Sequence, residues 1–167
     1  DAMTAASTEN LLSFTASLPN GVQAMSRDIE GLVETSLNLG ILASGDAEFI
    51  FSSGVRSSVN SDRAALSEKL AALTETHGGT YATHGEYPAW EYRKDSPLRD
   101  TATRVFERFY GFTPNVEAIH AGLECGLLSD KLLGLDSISM GPELHHVHTP
   151  EESMAISSVA RTYEFLL

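Results

Sequence analysis

A single cysteine, Cys125, stands in 167 residues, which excludes an internal disulfide and any zinc knuckle built on paired cysteines. Positive charge is also scarce. Eleven Lys and Arg face 23 Asp and Glu, a net charge of −12. Phosphate contacts need clustered Lys and Arg, so neither nucleic acid nor an anionic membrane surface is expected as a partner, while metal cations and cationic substrate groups remain open. No apolar run approaches the roughly 20 residues that cross a bilayer. The opening Asp1-Ala2-Met3-Thr4 has neither the basic nor the apolar region of a signal peptide, and Met3 is not first. The expected compartment is the cytoplasm, and the chain is expected to be part of a longer polypeptide. What is present, 42% apolar and 20% charged residues, is a globular composition able to bury a core.

Ser7-Thr8-Glu9-Asn10 ahead of Leu11, Leu12, Phe14 and Leu18 predicts a short amphipathic helix, stopped by Pro19-Asn20-Gly21. Residues 31–44 are apolar and β-branched and end in Ser44-Gly45-Asp46, a turn signal. With 47–55 they predict an antiparallel hairpin. Leu66, Leu70 and Leu73 share one face of a helix over about 62–76, ended by His77-Gly78-Gly79. An extended segment, 80–92, is expected to follow as a third strand, with Pro88 at its edge. The order strand, strand, helix, strand is half of a ferredoxin-like sandwich. Asp95-Ser96-Pro97 reads as a linker, after which helix and strand alternate: a helix over 97–110, a strand from Val116 to Ala121, a helix from about Glu124 to Leu132 and a strand over 136–140. Thr149-Pro150-Glu151-Glu152 has the cap, proline and acidic residue of a helix start. The fold class is therefore α/β.

Chemistry is concentrated in three places. Between a predicted strand end and the last helix lie His145, His146 and His148, and imidazole is a first-choice ligand for zinc and similar metals. A polar loop without a metal is the alternative, and these residues alone cannot complete a zinc site. Glu124 follows His120 at the predicted start of a helix, where the dipole stabilises a carboxylate. It could receive a substrate amine or simply cap the helix. Arg56 closes an apolar strand among Ser52, Ser53, Ser57 and Ser58, and its planar fork suits a carboxylate. An ordinary surface arginine is the alternative. Cys125 lies in an apolar run and is expected to be inert. His77 and His84 are expected at the surface, and Glu143, Glu151 and Glu152 as helix-start charges.

Four segments stand in one order: Val33-Glu34-Thr35-Ser36-Leu37-Asn38-Leu39-Gly40, Arg56-Ser57-Ser58, His120-Ala121-Gly122-Leu123-Glu124-Cys125-Gly126 and His148-Thr149-Pro150-Glu151-Glu152. Together they resemble the C-terminal part of the aminoacyl-histidine (Xaa-His) dipeptidases, a bacterial carnosinase-type branch of the two-metal peptidases. The resemblance implies a catalytic α/β domain carrying two metal ions, usually zinc, and an inserted lid domain that mediates dimerisation in relatives. Residues 1–92 would be the later part of the lid and 93–167 the closing part of the catalytic domain. It further implies that His148 is a metal ligand, that Arg56 holds the C-terminal carboxylate of a dipeptide, that Glu124 faces its free amine, and that Gly141 and Pro142 shape the pocket loop. His145 matches a recurrent neighbour without an assigned role. Relatives often carry Asn where Leu37 stands and Asp where His146 stands. The family's His-x-Asp motif, its Glu-Glu pair with the general base, and its further Asp ligand have no counterpart in these residues. The chain alone is therefore expected to be inactive, with a self-associating binding module derived from a peptidase lid as the alternative.

Overall fold

The computed structural model describes residues 2–118, 120 and 123–167. They form two compact units, one of Asp1–Tyr92 with Ala118–Asp130, the other of Arg93–Glu117 with Lys131–Leu167. The chain is mixed α/β, as expected, but Ala118–Asp130 packs with the first unit rather than with the residues on either side of it.

The first unit opens with α1 (Ala5–Ser17), whose N-cap Thr4 accepts the Ser7 amide. An antiparallel sheet follows in the order β1 (Gly21–Met25), β2 (Val33–Ser44), β3 (Phe49–Ser57). Gly45 N donates to Glu48 O at 2.8 Å and closes the turn between β2 and β3. α2 (Asn60–Thr76) lays Leu66 and Leu70 on one face of the sheet. There they meet Leu37, 2% exposed, with Leu18, Val55 and Tyr81 around them. Phe14 of α1 packs edge-on against Phe51 of β3, ring centres 5.0 Å apart.

Two details differ from expectation. β1 is a strand that the sequence does not announce, because it is short and mostly exposed. Residues 80–92, expected as a strand, run without a ladder. Side chains do the work a neighbouring strand would do: Asn60 Oδ1 accepts the Ala89 amide at 3.0 Å, and Arg63 donates to the Tyr87 carbonyl. Pro88 in the middle supplies no donor at all. The segment then lies against α4 (Glu124–Lys131), where Gly126 is buried beneath its backbone.

In the second unit α3 (Pro97–Tyr110) begins at an N-cap, Ser96, and ends at Gly111 in the left-handed region. Asp136 braces that start: the Ser96 hydroxyl and the Leu98 amide both donate to its carboxylate, at 2.7 and 2.8 Å. Phe106 is the hub of an aromatic group with Tyr110, Phe112 and Phe165. The strands expected over 116–121 and 136–140 are not formed among the described residues. A strand exists only through a partner, and among the described residues no strand pairs with 136–140. Ile119 and Ala121, part of the first of those expectations, lie outside the described residues, as does Gly122.

The last helix, α5 (Ile156–Leu166), starts later than Thr149-Pro150-Glu151-Glu152 predicts. The Thr149 hydroxyl donates to His146 O at 2.7 Å, closing a turn instead of capping a helix. A two-residue ladder follows, β4 (Leu144–His145) against β5 (Ser153–Met154). Ser158, 4% exposed, fastens α5 to it by accepting the Glu143 amide at 2.9 Å.

Candidate functional site

The hairpin builds the first half of the site. Ser36 on β2 and Arg56 on β3 are register partners, so their side chains leave the sheet on the same face. That face is opposite to Leu37 and the core. Its placement depends on an irregularity between Leu39 and Ile41, centred on Gly40. Were Gly40 paired in the regular register set by the turn, Arg56 would stand opposite Leu37.

His120 lies over this pair. Its Nε2 is 2.7 Å from the Ser36 hydroxyl, a contact spanning 84 residues of sequence. Arg56 and His120 line one recess with Ser57, Ser58, Tyr87, Ala89 and Trp90. Ser57 is held by Thr35, oxygen to oxygen 2.9 Å. Burial and, second, the Arg56 guanidinium hold the His120 ring below the ordinary histidine pKa. Among the described residues no hydrogen-bond or ion-pair partner occupies Arg56. The recess thus brings a guanidinium and an imidazole together beside Ser58, Tyr87 and Trp90. The planar fork of Arg56 is the group there that suits a carboxylate.

Glu124 is the first residue of α4 and is exposed. It stands four positions after His120 and does not line the recess. Cys125, beside it, is half-buried.

His148 and Gly141 belong to the second unit, and both are exposed. His146 and His148 have φ of 52° and 65°, the left-handed region that residues with a Cβ rarely enter. The loop is pinned in this shape by its own neighbours: the His148 amide donates to Glu152 Oε2 at 2.7 Å. Glu152 therefore secures a loop and is not a charge at the start of α5. Glu143 likewise faces His145 at 3.4 Å and Arg161 at 3.9 Å. Strained backbone of this kind collects at functional positions. Gly141 has open space where a Cβ would go.

Among the described residues, no three His, Cys, Asp or Glu side chains gather closely enough to hold a metal ion. The described residues therefore do not compose a metal site unaided. His77, expected at the surface, is half-buried: Asn10 bonds its Nδ1 at 2.8 Å and its carbonyl at 2.9 Å, which ties α1 to the end of α2. Sequence reasoning passed over the Ser36–His120 contact. Its signal lay in two of the quoted segments, but only a fold joins positions so far apart. No helix among the described residues is long and apolar enough to cross a membrane.

No family model matches the chain. It is 32% identical over 165 residues to a cytosol non-specific dipeptidase of Escherichia coli, covering 99% of this chain and 34% of that protein. The crystal structure of aminoacylhistidine dipeptidase from Vibrio alginolyticus superposes with a TM-score of 0.90 at 32% identity, again over 99% of this chain and 34% of that one. An aminopeptidase PepT structure from Bacillus cereus matches with a TM-score of 0.67 at 18% identity, over 95% of this chain and 43% of the other, a likeness of fold. The resemblance read from the sequence is thus borne out across nearly its whole length. The chain spans about a third of the length of the two dipeptidases it matches.

Proposed function

We propose that this chain is the later part of a metal-dependent dipeptidase acting on Xaa-His type dipeptides. The observation that carries the reading is the continuous 32% identity to a dipeptidase over 99% of the chain, in one fold with a TM-score of 0.90. In this reading residues 1–92 are the later part of a lid and 93–167 the closing part of a catalytic domain. Arg56 takes the dipeptide's C-terminal carboxylate, Glu124 faces its amine, Gly141 shapes the pocket loop, and His148 is one metal ligand. The partner ligands and the general base come from residues beyond these, and the metal, zinc in this reading, supplies an activated water in the complete enzyme. Reading both charged ends of a short zwitterion makes an exopeptidase, since a longer peptide leaves a charge buried without a partner, at a cost of about 1–3 kcal/mol. The cytoplasm is the proposed compartment.

The 167-residue chain, incubated with zinc and an Xaa-His dipeptide, is expected to show no turnover above blank. Chelator-sensitive turnover would contradict the division of labour proposed here. In a longer protein carrying this chain, His148→Ala is expected to lose most bound metal and activity, and Arg56→Ala to raise KM for the dipeptide. Full activity in the His148→Ala protein would remove His148 from the metal site.

A second reading, a self-associating module, draws on the outer end of the hairpin, where Ile41, Leu42 and Ile50 are each more than half exposed. In the complete enzyme the same surface would serve a homo-oligomer formed through the lid. Concentration-dependent dimerisation of the chain, abolished by Ile41→Lys, is the expected sign of either. A chain that stays monomeric up to millimolar concentration removes both.

A further inference from the structure

The Arg56 recess holds an ionisable group that the proposed carboxylate contact leaves unused. The His120 ring shares the recess with the guanidinium and is tethered by Ser36 at 2.7 Å, and the register of β2 with β3 fixes Ser36 opposite Arg56. Three elements thus converge on one spot: a strand carrying the tether, a strand carrying the cation, and the loop before α4 carrying the ring. We propose that His120 is a second anion-contacting residue of this recess and that a carboxylate seated on Arg56 binds together with one proton, taken up by the His120 ring.

The electrostatics are simple. An empty recess sets a cation beside a partly buried imidazole, and both conditions favour the neutral ring. A carboxylate on the guanidinium cancels that charge and adds a negative one within reach of the ring. Both changes favour imidazolium. The neutral ring donates from one nitrogen and accepts at the other, whereas the imidazolium donates from both. The tether tolerates this, because the Ser36 hydroxyl can donate to Nε2 or accept from it. The proton comes from solvent and ends on the ring, so one anion and one proton enter and no covalent bond changes.

Other charges do not take over this role. The titratable and charged groups on the surrounding elements are Glu34 on β2, Arg56 on β3, Asp62, Arg63, Glu68, Lys69 and Glu75 on α2, Tyr81, His84, Glu86, Tyr87, Glu91 and Tyr92 on the segment before Arg93, and Glu124, Cys125, Asp130 and Lys131 on α4. Glu91 is engaged by the Asn60 amide at 2.9 Å, and Arg63 by the Tyr87 carbonyl. Arg56 is the charge that acts on the ring.

The inference rests on Arg56 as the carboxylate site, and its test separates the two. The probe is N-acetylglycine, a carboxylate with no free amine, titrated into the chain with 15N-labelled histidine and followed by the ring resonances of His120. Binding is expected to tighten as the pH falls from 8 to 5.5, with a ceiling of about tenfold for each unit by which the ring's pKa rises on binding. The ring's titration midpoint is expected to move upward when the probe is saturating. In His120→Gln, binding persists and its pH dependence over this range disappears. In Arg56→Gln, binding is lost. Wild-type binding with equal affinity at both pH values, or an unmoved His120 midpoint under saturating probe, overturns the role of His120 and leaves Arg56 as the anchor. No binding at any pH overturns both.

Discussion

Replacing Gly126 by Ala sets two effects of opposite sign against each other, and the structure says which wins. Gly126 is the third residue of α4 and is buried. On helix propensity alone, alanine should stabilise the protein by up to about 1 kcal/mol. A Cβ built there, however, comes within 2.9 Å of the Pro88 carbonyl oxygen and 3.3 Å of Ala89 C and Trp90 N. All three are backbone atoms, which cannot rotate away as a side-chain tip can. The 88–90 segment must retreat by a few tenths of an ångström, and overpacking of this kind costs about 1–3 kcal/mol. The expected net loss is therefore about 1–2 kcal/mol. With a urea dependence of about 2 kcal/mol per molar, the midpoint falls by about 0.5–1 M. Trp90, the single tryptophan, sits at the clash and gives the fluorescence signal. Gly54→Ala is the control: nothing lies within 4 Å of its Cβ position, and a change within about 0.5 kcal/mol is expected. A Gly126→Ala protein as stable as the parent, or more so, would show that α4 does not press on the 88–90 backbone.

Leu37→Ala should cost about 2–5 kcal/mol, because Leu37 is 2% exposed between Leu66 and Leu70; a loss under 1 kcal/mol in urea unfolding would place the core elsewhere. The hydrogen bonds from Ser96 and then Leu98, with Arg93 and Arg99 nearby, hold the Asp136 carboxyl below the usual carboxylate range. A depressed folded pKa gives stability that is complete above the unfolded value and fades as pH falls through the folded one. Acid unfolding of Asp136→Asn should therefore lack that step, and superimposable acid curves would refute the brace. The His120 ring is also held low, so the unfolded chain binds its proton first and stability declines as pH drops below the ordinary histidine range. Arg56→Gln should raise the ring's midpoint in an NMR titration, and an unmoved midpoint would mean that the guanidinium does not act on it.

The elements that the sequence made legible are those whose signals are local. The leucine face of α2, the turn at Ser44-Gly45-Asp46 and the helix expected over 97–110 each rest on signals within a few residues, and each appears close to its expected bounds. The failures share a cause. Residues 80–92 and 136–140 have strand-like composition, yet a strand needs a partner, and which partner is free is a property of the whole fold. Thr149-Pro150-Glu151-Glu152 has every mark of a helix start. There Thr149 closes a turn on His146 and Glu152 accepts the His148 amide, so the capping groups are consumed by the loop before a helix can use them. Local preference for the left-handed region at His146 and His148 is weak, about 1–2 kcal/mol unfavourable for each, and only surrounding bonds hold it.

The same distinction explains why Arg56 was legible as a residue and not as part of a site. Its chemistry is visible in the sequence, but the side chain that stands beside it is decided by a bulge on the other strand, at Gly40. Counting outward from the turn, Ser44 pairs with Phe49 and Ile41 with Ser52; beyond Gly40, Leu39 pairs with Ser53 and Ser36 with Arg56. Side chains alternate between faces, so a single inserted residue exchanges one face for the other for the rest of the ladder. On the inner stretch Leu37 and Val55 turn to the core, and Ser36 and Arg56 turn to His120. The bulge, on β2, decides which of its side chains joins each: Leu37 joins Val55 and Ser36 joins Arg56. A hairpin without it could not bury Leu37 opposite Val55 and still present Arg56 beside Ser36, so core packing and recess chemistry select the same register. This coupling gives Gly40 a role beyond tolerating a kink: it sets Ser36, rather than Leu37, beside the Arg56 cation.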